Sequence, residues 1–92
     1  MTITLTTPPR LSPHYVFRWE VSQDAYILLY PEGLIKLNAT AAEILKRCDG
    51  HRTAQEIVAD LDVAFPGHHE AITHDIQAFL AAALDKGWIR FS

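Results

Sequence analysis

The 92-residue chain contains a single cysteine, Cys48, and no long run of apolar residues. An internal disulfide is therefore excluded, so stability must come from a packed core. No segment is long enough to span a bilayer, and the first residues lack the basic stretch and apolar core of a signal peptide. With 49% apolar residues, residues 1–92 are expected to form one globular domain in the cytoplasm.

Positive charge is absent from a long part of the chain, since residues 53–85 include no Lys or Arg. The same stretch carries six acidic residues: Glu56, Asp60, Asp62, Glu70, Asp75 and Asp85. Helices that read DNA normally present Arg, Lys, Asn or Gln to bases and phosphates. Because an acidic stretch repels phosphate, no nucleic-acid partner is expected.

Motifs for catalysis, metal binding or phosphate binding are also missing. The four glycines are isolated and form no phosphate-binding loop. Among five histidines, Glu70 and His74 are spaced to share a helix face, but one such pair does not make a metal site. Cys48 falls on an apolar helix stripe, which is typical of a small buried residue rather than a nucleophile. The sequence therefore predicts neither an enzyme nor a bound metal or cofactor.

The first part of the chain predicts an arm followed by a strand. Residues 1–13 carry three prolines and several threonines, which favours an extended arm. From Tyr15 onwards, aromatic residues occupy every second position, so Tyr15, Phe17 and Trp19 lie on one face of a predicted strand. A short polar loop follows and predicts a hairpin.

The next segments predict the rest of a three-stranded antiparallel meander. Residues 25–30 are apolar or aromatic on both faces, as in a central strand. Residues 31–33, Pro-Glu-Gly, form a turn, in which glycine is free to adopt a positive φ. Residues 34–37 form a very short third strand. Composition and spacing slightly favour an ordinary edge strand protected by Lys36, with a template for an added strand as the alternative.

Three helices are predicted after the strands. The first has Thr40 and Glu43 as a capping box and ends at residues 49–50. The second repeats the capping box with Thr53 and Glu56. The third extends from about residue 69 to residue 86 and stops at a glycine, and residues 88–91 are extended, returning to the sheet or packing on the helices. The expected fold is α+β and winged helix-turn-helix-like, with a three-stranded antiparallel sheet followed by three helices.

A specific set of short segments is spread over nearly the whole chain. The segments are Pro9-Arg10-Leu11, Trp19-Glu20, Leu29-Tyr30-Pro31-Glu32-Gly33, Leu37-Asn38, Glu43-Ile44-Leu45, Cys48-Asp49-Gly50, Arg52-Thr53, Glu56-Ile57-Val58, Phe79-Leu80 and Gly87-Trp88. With these segments the chain resembles the PqqD family. A departure is His14, where the family is expected to have glycine after Pro13.

The resemblance implies a peptide-binding function. PqqD proteins are free-standing recognition domains for precursors of ribosomally synthesised, modified peptides, and they are not enzymes. They bind the precursor peptide PqqA and associate with PqqE, a radical S-adenosylmethionine enzyme. PqqE joins a Glu and a Tyr of the peptide on the way to pyrroloquinoline quinone. The alternative of a different class is a DNA-binding winged-helix regulator, which the acidic helices disfavour.

The resemblance also implies where the peptide binds, namely as a strand added to the third strand and beside the third helix. Whether the protein is a monomer or a homodimer that exchanges its N-terminal hairpin stays open, as does the rotation of the third helix. The implied peptide-binding residues are Leu34, Ile35, Lys36, Leu37 and Asn38 on the strand, and Asp75, Ala78, Phe79 and Ala82 on the helix.

Overall fold

The computed structural model describes residues 7–91, so residues 1–6 of the predicted arm and residue 92 lie outside the described part. A single 3-10 turn, Val21–Gln23, joins two of the strands. The elements in chain order are β1 (Arg10–Leu11), β2 (Val16–Glu20), β3 (Ala25–Tyr30), β4 (Gly33–Lys36), α1 (Ala39–Leu45), α2 (Ala54–Ala64), α3 (His69–Asp85) and β5 (Ile89–Arg90).

The main sheet is the predicted antiparallel meander, with strand order β2-β3-β4. Leu28 lies at its centre, opposite Phe17 on one side and Ile35 on the other. Residues directly opposite each other in a sheet share a face. This inner face packs on the helices, and Leu28 has 0% exposure. The α+β fold class predicted from the sequence is confirmed.

A second, two-stranded sheet joins the two ends of the described chain. β1 pairs antiparallel with β5, so that Arg10 is opposite Arg90 and Leu11 is opposite Ile89. The Gly50 N–H donates to the Pro9 carbonyl at 2.9 Å. The extended C-terminal segment therefore pairs with part of the predicted arm and not with the three-stranded sheet.

Asn38 caps α1, and the predicted Thr40–Glu43 capping box is wrong. The Asn38 side-chain oxygen accepts a hydrogen bond from the Ala41 N–H at 2.8 Å. The Leu37 N–H still pairs with the Tyr26 carbonyl, at 2.9 Å. The chain therefore leaves the sheet at Asn38, one of the strongest capping residues, and Thr40 falls inside the first helical turn.

The end of α1 also differs from the prediction. The helix stops at Leu45 rather than at residues 49–50. The N–H groups of Arg47 and Cys48 donate to carbonyls three residues back, at 3.0 and 3.1 Å, so the last turns are tight. Gly50 has a positive φ, 82°, but it lies beyond the helix, and its N–H bonds to the N-terminal segment.

The capping box of α2 is confirmed. The Glu56 N–H donates to the Thr53 hydroxyl oxygen at 3.2 Å, and the Thr53 N–H donates to the Glu56 carboxylate at 2.9 Å. The hydrogen bond from the Thr53 N–H lowers the pKa of the Glu56 carboxyl, because it stabilises the charged form. Two otherwise unpaired N–H groups at the start of α2 are thereby satisfied.

α3 ends in a Schellman motif around Gly87. The Gly87 N–H donates to the Leu84 carbonyl at 3.1 Å, and the Trp88 N–H donates to the Ala83 carbonyl at 2.8 Å. Gly87 has φ 80°, in the left-handed region. The motif turns the chain so that Trp88 lies near Phe79, with ring centroids 6.3 Å apart. It also directs β5 towards β1.

Gly87→Ala is expected to lower the free energy of unfolding by about 1 kcal/mol, because alanine resists the left-handed backbone. Gly87→Asn should lower the free energy of unfolding by less, since asparagine tolerates the left-handed conformation. Urea unfolding followed by circular dichroism measures both. Equal stability of the alanine variant and the parent would show that the chain can leave α3 in another way.

The core lies between the inner face of the sheet and the three helices. α3 contacts α1, α2 and β5, so it is the central helix. In the described part of the chain, no helix combines the length and the apolarity needed to cross a membrane. The most deeply buried core residues are Leu28, Ile44, Ile57, Ile76, Leu80, Ala83 and Ile89.

Candidate functional site

β4 lies at one end of the main sheet. On one side it pairs with β3, and on the other side no strand within residues 7–91 pairs with it. We call this outer side the β4 edge. Unpaired N–H and C=O groups along such an edge are a template for an added strand.

The strand register determines which backbone groups point out of the β4 edge. The Leu37 N–H donates inward to the Tyr26 carbonyl at 2.9 Å. Hydrogen-bonded and non-hydrogen-bonded pairs alternate along an antiparallel ladder. The next hydrogen-bonded pair is therefore Ile35 with Leu28. It follows that the N–H and C=O groups of Leu34 and Lys36 point outward, which the sequence alone left open.

The side chains of β4 alternate between the two faces of the sheet. Ile35 and Leu37 face inward and pack with the core. Leu34 and Lys36 lie on the other face, where Leu34 is 45% exposed. No ion pair among the described residues includes Lys36, so its charge is available to a binding partner.

A groove of about 330 Å³ begins one residue after Asn38. The first turns of α1, the end of α2 and the first half of α3 form its walls, and we call it the α1–α3 groove. Its floor is mainly apolar, whereas carboxylates of Glu43 and Asp75 contribute to its lining. The lining residues are Ala39, Thr40, Glu43, Ile44, Leu61, Phe65, His68, Ala71, Ile72, Asp75 and Ile76.

The predicted helix residues occupy different environments on α3. Asp75 is exposed and lines the α1–α3 groove. Ala78 and Ala82 are exposed further along the helix, and Phe79 is partly buried against the core. These three residues do not line the groove. The structure thus brings Asp75 close to the end of the strand segment, while the other three extend along the same side of α3.

Sequence reasoning missed several residues of the groove. Neither Ile72 nor Phe65 is among the peptide-binding residues that the resemblance implies. Both line the groove, as does His68. Phe65 is 46% exposed, so this groove residue presents apolar surface to solvent.

The two groove carboxylates differ in their partners. Lys46 Nζ lies 3.0 Å from one Glu43 oxygen, and Arg47 Nη1 lies 3.1 Å from the other. Hydrogen bonds from these two cations lower the pKa of Glu43. No ion pair among residues 7–91 includes Asp75. The groove therefore combines an apolar floor with one neutralised and one unpaired carboxylate.

Cys48 is a packing residue in this structure. Its side chain is buried, and burial raises the pKa of its thiol to about 12. The thiol therefore stays protonated near neutral pH, whereas a nucleophile must be a thiolate. Within the described residues, no three His, Cys, Asp or Glu side chains come together in a way that could hold a metal ion.

Cys48→Ala is expected to lower the free energy of unfolding by about 1 kcal/mol or somewhat more, through lost packing. In the parent, the thiol should react with iodoacetamide only as fast as the protein unfolds. Thermal melting and alkylation followed by mass spectrometry measure the two effects. Rapid alkylation of the folded protein would contradict the assignment.

Comparison with known proteins shows to which family the chain belongs. The family model described as "Coenzyme PQQ synthesis protein D (PqqD)" matches residues 25–89. The chain belongs to the PqqD family. A protein of Stutzerimonas stutzeri, named PqqA binding protein, is 47% identical over 95% of this chain and 94% of its own length. Another PqqA binding protein, from Azotobacter vinelandii, is 43% identical over 94% of this chain and 92% of its own length.

Solved structures share the fold of this PqqD-family chain. The PqqD part of Methylobacterium extorquens PqqCD, described as a functional and stand-alone recognition element, superimposes with a TM-score of 0.78 at 26% identity, covering 97% of this chain and 95% of that chain. Lasso peptide synthetase B1, complexed with its leader peptide, gives a TM-score of 0.73 at 21% identity, covering 90% and 98%. The shared arrangement is winged-helix-like and α+β.

Proposed function

We propose that this protein binds the precursor peptide PqqA by strand addition at the β4 edge and presents it to PqqE for Glu–Tyr cross-linking. The observation that carries the proposal is the outward direction of the Leu34 and Lys36 backbone groups at an edge unpaired within residues 7–91. The relatives named PqqA binding protein support the identity of the peptide.

Strand addition uses the main chain for affinity and the side chains for selection. Leu34 and Lys36 each offer one N–H and one C=O to the peptide. Alternate residues of an added strand would point towards the outer face, beside Leu34 and Lys36, and towards the helices. The peptide is thereby held in one extended conformation.

The α1–α3 groove gives the peptide a second contact beyond the end of β4. A peptide that follows β4 past Asn38 reaches the groove, where an apolar side chain would cover Ile72 and Phe65. Asp75 at the same groove favours a peptide cation nearby. The small exposed side chains of Ala78 and Ala82 allow another backbone to approach α3.

The role proposed for this protein is presentation and not catalysis. Presentation requires that the Glu and Tyr of the peptide lie outside the bound segment, so that they stay free for PqqE. We also infer a cytoplasmic location, where a ribosomal precursor is made.

Hydrogen exchange of the backbone amides tests strand addition directly. PqqA peptide should slow the exchange of the Leu34 and Lys36 amides, while the Ile35 and Leu37 amides should be protected already in the free protein. NMR of the ¹⁵N-labelled protein with and without peptide gives the four rates. Tight peptide binding with no added protection at Leu34 and Lys36 would place the peptide elsewhere.

The protein is expected to have no appreciable affinity for duplex DNA at physiological salt. α2 and α3 lie within residues 53–85, which include no Lys or Arg. Each phosphate near these helices would meet negative charge without a compensating cation. A gel-shift titration at several salt concentrations checks this, and salt-sensitive sub-micromolar binding would favour the regulator instead.

A further inference from the structure

The two-stranded sheet places two arginines directly opposite each other. Leu11 and Ile89, which are also opposite each other, pack with the core. Since successive side chains of a strand alternate between its faces, Arg10 and Arg90 point away from the core. Both arginines are exposed. We call this outward side of the two-stranded sheet the arginine face.

The backbone hydrogen bonds show how close the two arginines are. The Ser12 N–H donates to the Trp88 carbonyl at 2.8 Å, so this position of the ladder is a hydrogen-bonded one. By the alternation of an antiparallel ladder, Arg10 with Arg90 is the next hydrogen-bonded pair. The Cα atoms of such a pair are about 5.5 Å apart. The two guanidinium side chains therefore leave the sheet side by side.

The cations near the arginine face lack carboxylate partners in the described part of the chain. No ion pair within residues 7–91 includes Arg10, Arg90 or Lys86. Lys86 Nζ lies instead 5.9 Å from the centre of the Trp88 ring, beside the two-stranded sheet. Of the other described cations, only Lys36 at the β4 edge has no ion pair within residues 7–91. Those that do form ion pairs are Arg18, Lys46, Arg47 and Arg52.

The carboxylate of Asp49, the residue next to Arg10 on the other side of β1, is engaged elsewhere. Asp49 and Arg10 form an isolated β-bridge. The Asp49 carboxylate accepts a hydrogen bond from the His51 N–H at 2.8 Å and lies 3.5 Å from Arg52 Nη1. Asp49 therefore serves its own loop, and the positive charge of the arginine face stays uncompensated within residues 7–91.

The chemistry of the arginine face selects the kind of partner that it fits. Like charges directly opposite each other destabilise a sheet, so a negative group placed between the two arginines relieves their repulsion. Each guanidinium presents a planar fork of donors that matches a carboxylate. Nucleic acid requires a longer track of cations along its backbone. The partner that fits is therefore a protein surface that presents carboxylates.

We propose that the arginine face docks the enzyme to which the peptide is presented, through carboxylates on the surface of that enzyme. The inference rests on the proposed function, in which the enzyme is PqqE. The β4 edge belongs to the other sheet, so the peptide and the enzyme contact different strands. Docking at the arginine face thus leaves the β4 edge to the peptide.

Single charge reversals test the docking by titration of PqqE in the presence of PqqA peptide. Arg10→Glu and Arg90→Glu should each weaken PqqE binding at least about tenfold, whereas PqqA affinity should equal that of the parent. Each variant places a carboxylate opposite the remaining arginine, so its melting temperature should equal or exceed that of the parent. A merely structural role of the two arginines would lower the melting temperature instead.

Arg18→Glu is the matched control, because it makes the same change of charge on β2, in the other sheet. Its PqqE affinity should equal that of the parent. An equal loss in this control would show that net charge matters and not the arginine face. PqqE binding of the parent should also weaken as salt is added, more steeply than that of either arginine-face variant.

Other results would overturn the inference in distinguishable ways. A parent that does not bind PqqE at low salt, or arginine-face variants that bind it like the parent, would exclude the docking. Loss of PqqA binding in a folded arginine-face variant would assign the face to the peptide. An oligothymidine that displaces PqqE would assign it to nucleic acid. A failure of strand addition is seen separately, as absent PqqA binding by the parent.

Discussion

Lys36→Pro is expected to leave the protein folded and to weaken PqqA peptide binding at least about tenfold. The Lys36 N–H points out of the β4 edge and has no role in the pairing of β4 with β3. Proline is tolerated on an edge strand when the missing N–H faces outward. A peptide carbonyl that loses this donor on binding stays unsatisfied, which costs about 1–3 kcal/mol.

Ile35→Pro, one residue away, is the matched variant with the opposite effect. The Ile35 N–H points inward to Leu28, the central residue of the sheet. Its removal breaks the ladder and withdraws a side chain that packs on the core. The free energy of unfolding should fall by about 3 kcal/mol or more, or the protein should not fold. Urea unfolding and calorimetric peptide titration separate the two variants.

Lys36→Ala is the control for the side chain, because it removes the charge and keeps the N–H. A small effect of this variant on peptide affinity would show that the main chain dominates. If both proline variants fold and bind the peptide like the parent, strand addition at the β4 edge is wrong. The peptide would then dock through side chains along α3.

Thr40→Trp is expected to reduce PqqA peptide affinity at least about tenfold by filling the α1–α3 groove. Thr40 is exposed in the first turns of α1 and lines the groove. A tryptophan side chain buries on the order of 200 Å² and would cover the apolar floor in place of the peptide. The free energy of unfolding should change little or increase, because the site is exposed and apolar surface becomes covered.

Ala59→Trp is the matched control for the groove variant. Ala59 is exposed on α2 and does not line the groove, so the same bulk is added elsewhere. Its peptide affinity should equal that of the parent in a calorimetric titration. Unchanged affinity of the Thr40→Trp variant would limit the peptide site to the β4 edge and the later turns of α3.

Local patterns predicted the three strands of the main sheet and two of the three helices well, because the alternation of side chains and the capping residues act over a few positions. The start of α1 was not predictable in the same way. Asn38 and Thr40 are both good caps, and the choice depends on where Leu37 stops pairing with Tyr26. That pairing joins residues distant in the sequence, so no local pattern contains it.

The candidate site was predictable in part, for the same reason. The alternation of side chains along a strand showed that Ile35 and Leu37 share a face. It did not show which backbone N–H of the strand points towards β3. That information lies in the register between β3 and β4. Three helices form the walls of the groove, and Phe65 and Ile72 line it together only because these helices pack against each other. Whether Phe65 and Ile72 lie at the same groove therefore depends on the angles between the helices, which a single sequence does not show.

The pairing of β1 with β5 determines where the polypeptide enters and leaves the fold. Because the two strands are antiparallel and Arg10 lies opposite Arg90, the incoming and outgoing chain emerge side by side. The β4 edge belongs to the other sheet. A neighbouring domain, or a short linker closing the chain into a circular permutant, is therefore accommodated at one corner of the molecule without altering the strand proposed to recognise the peptide.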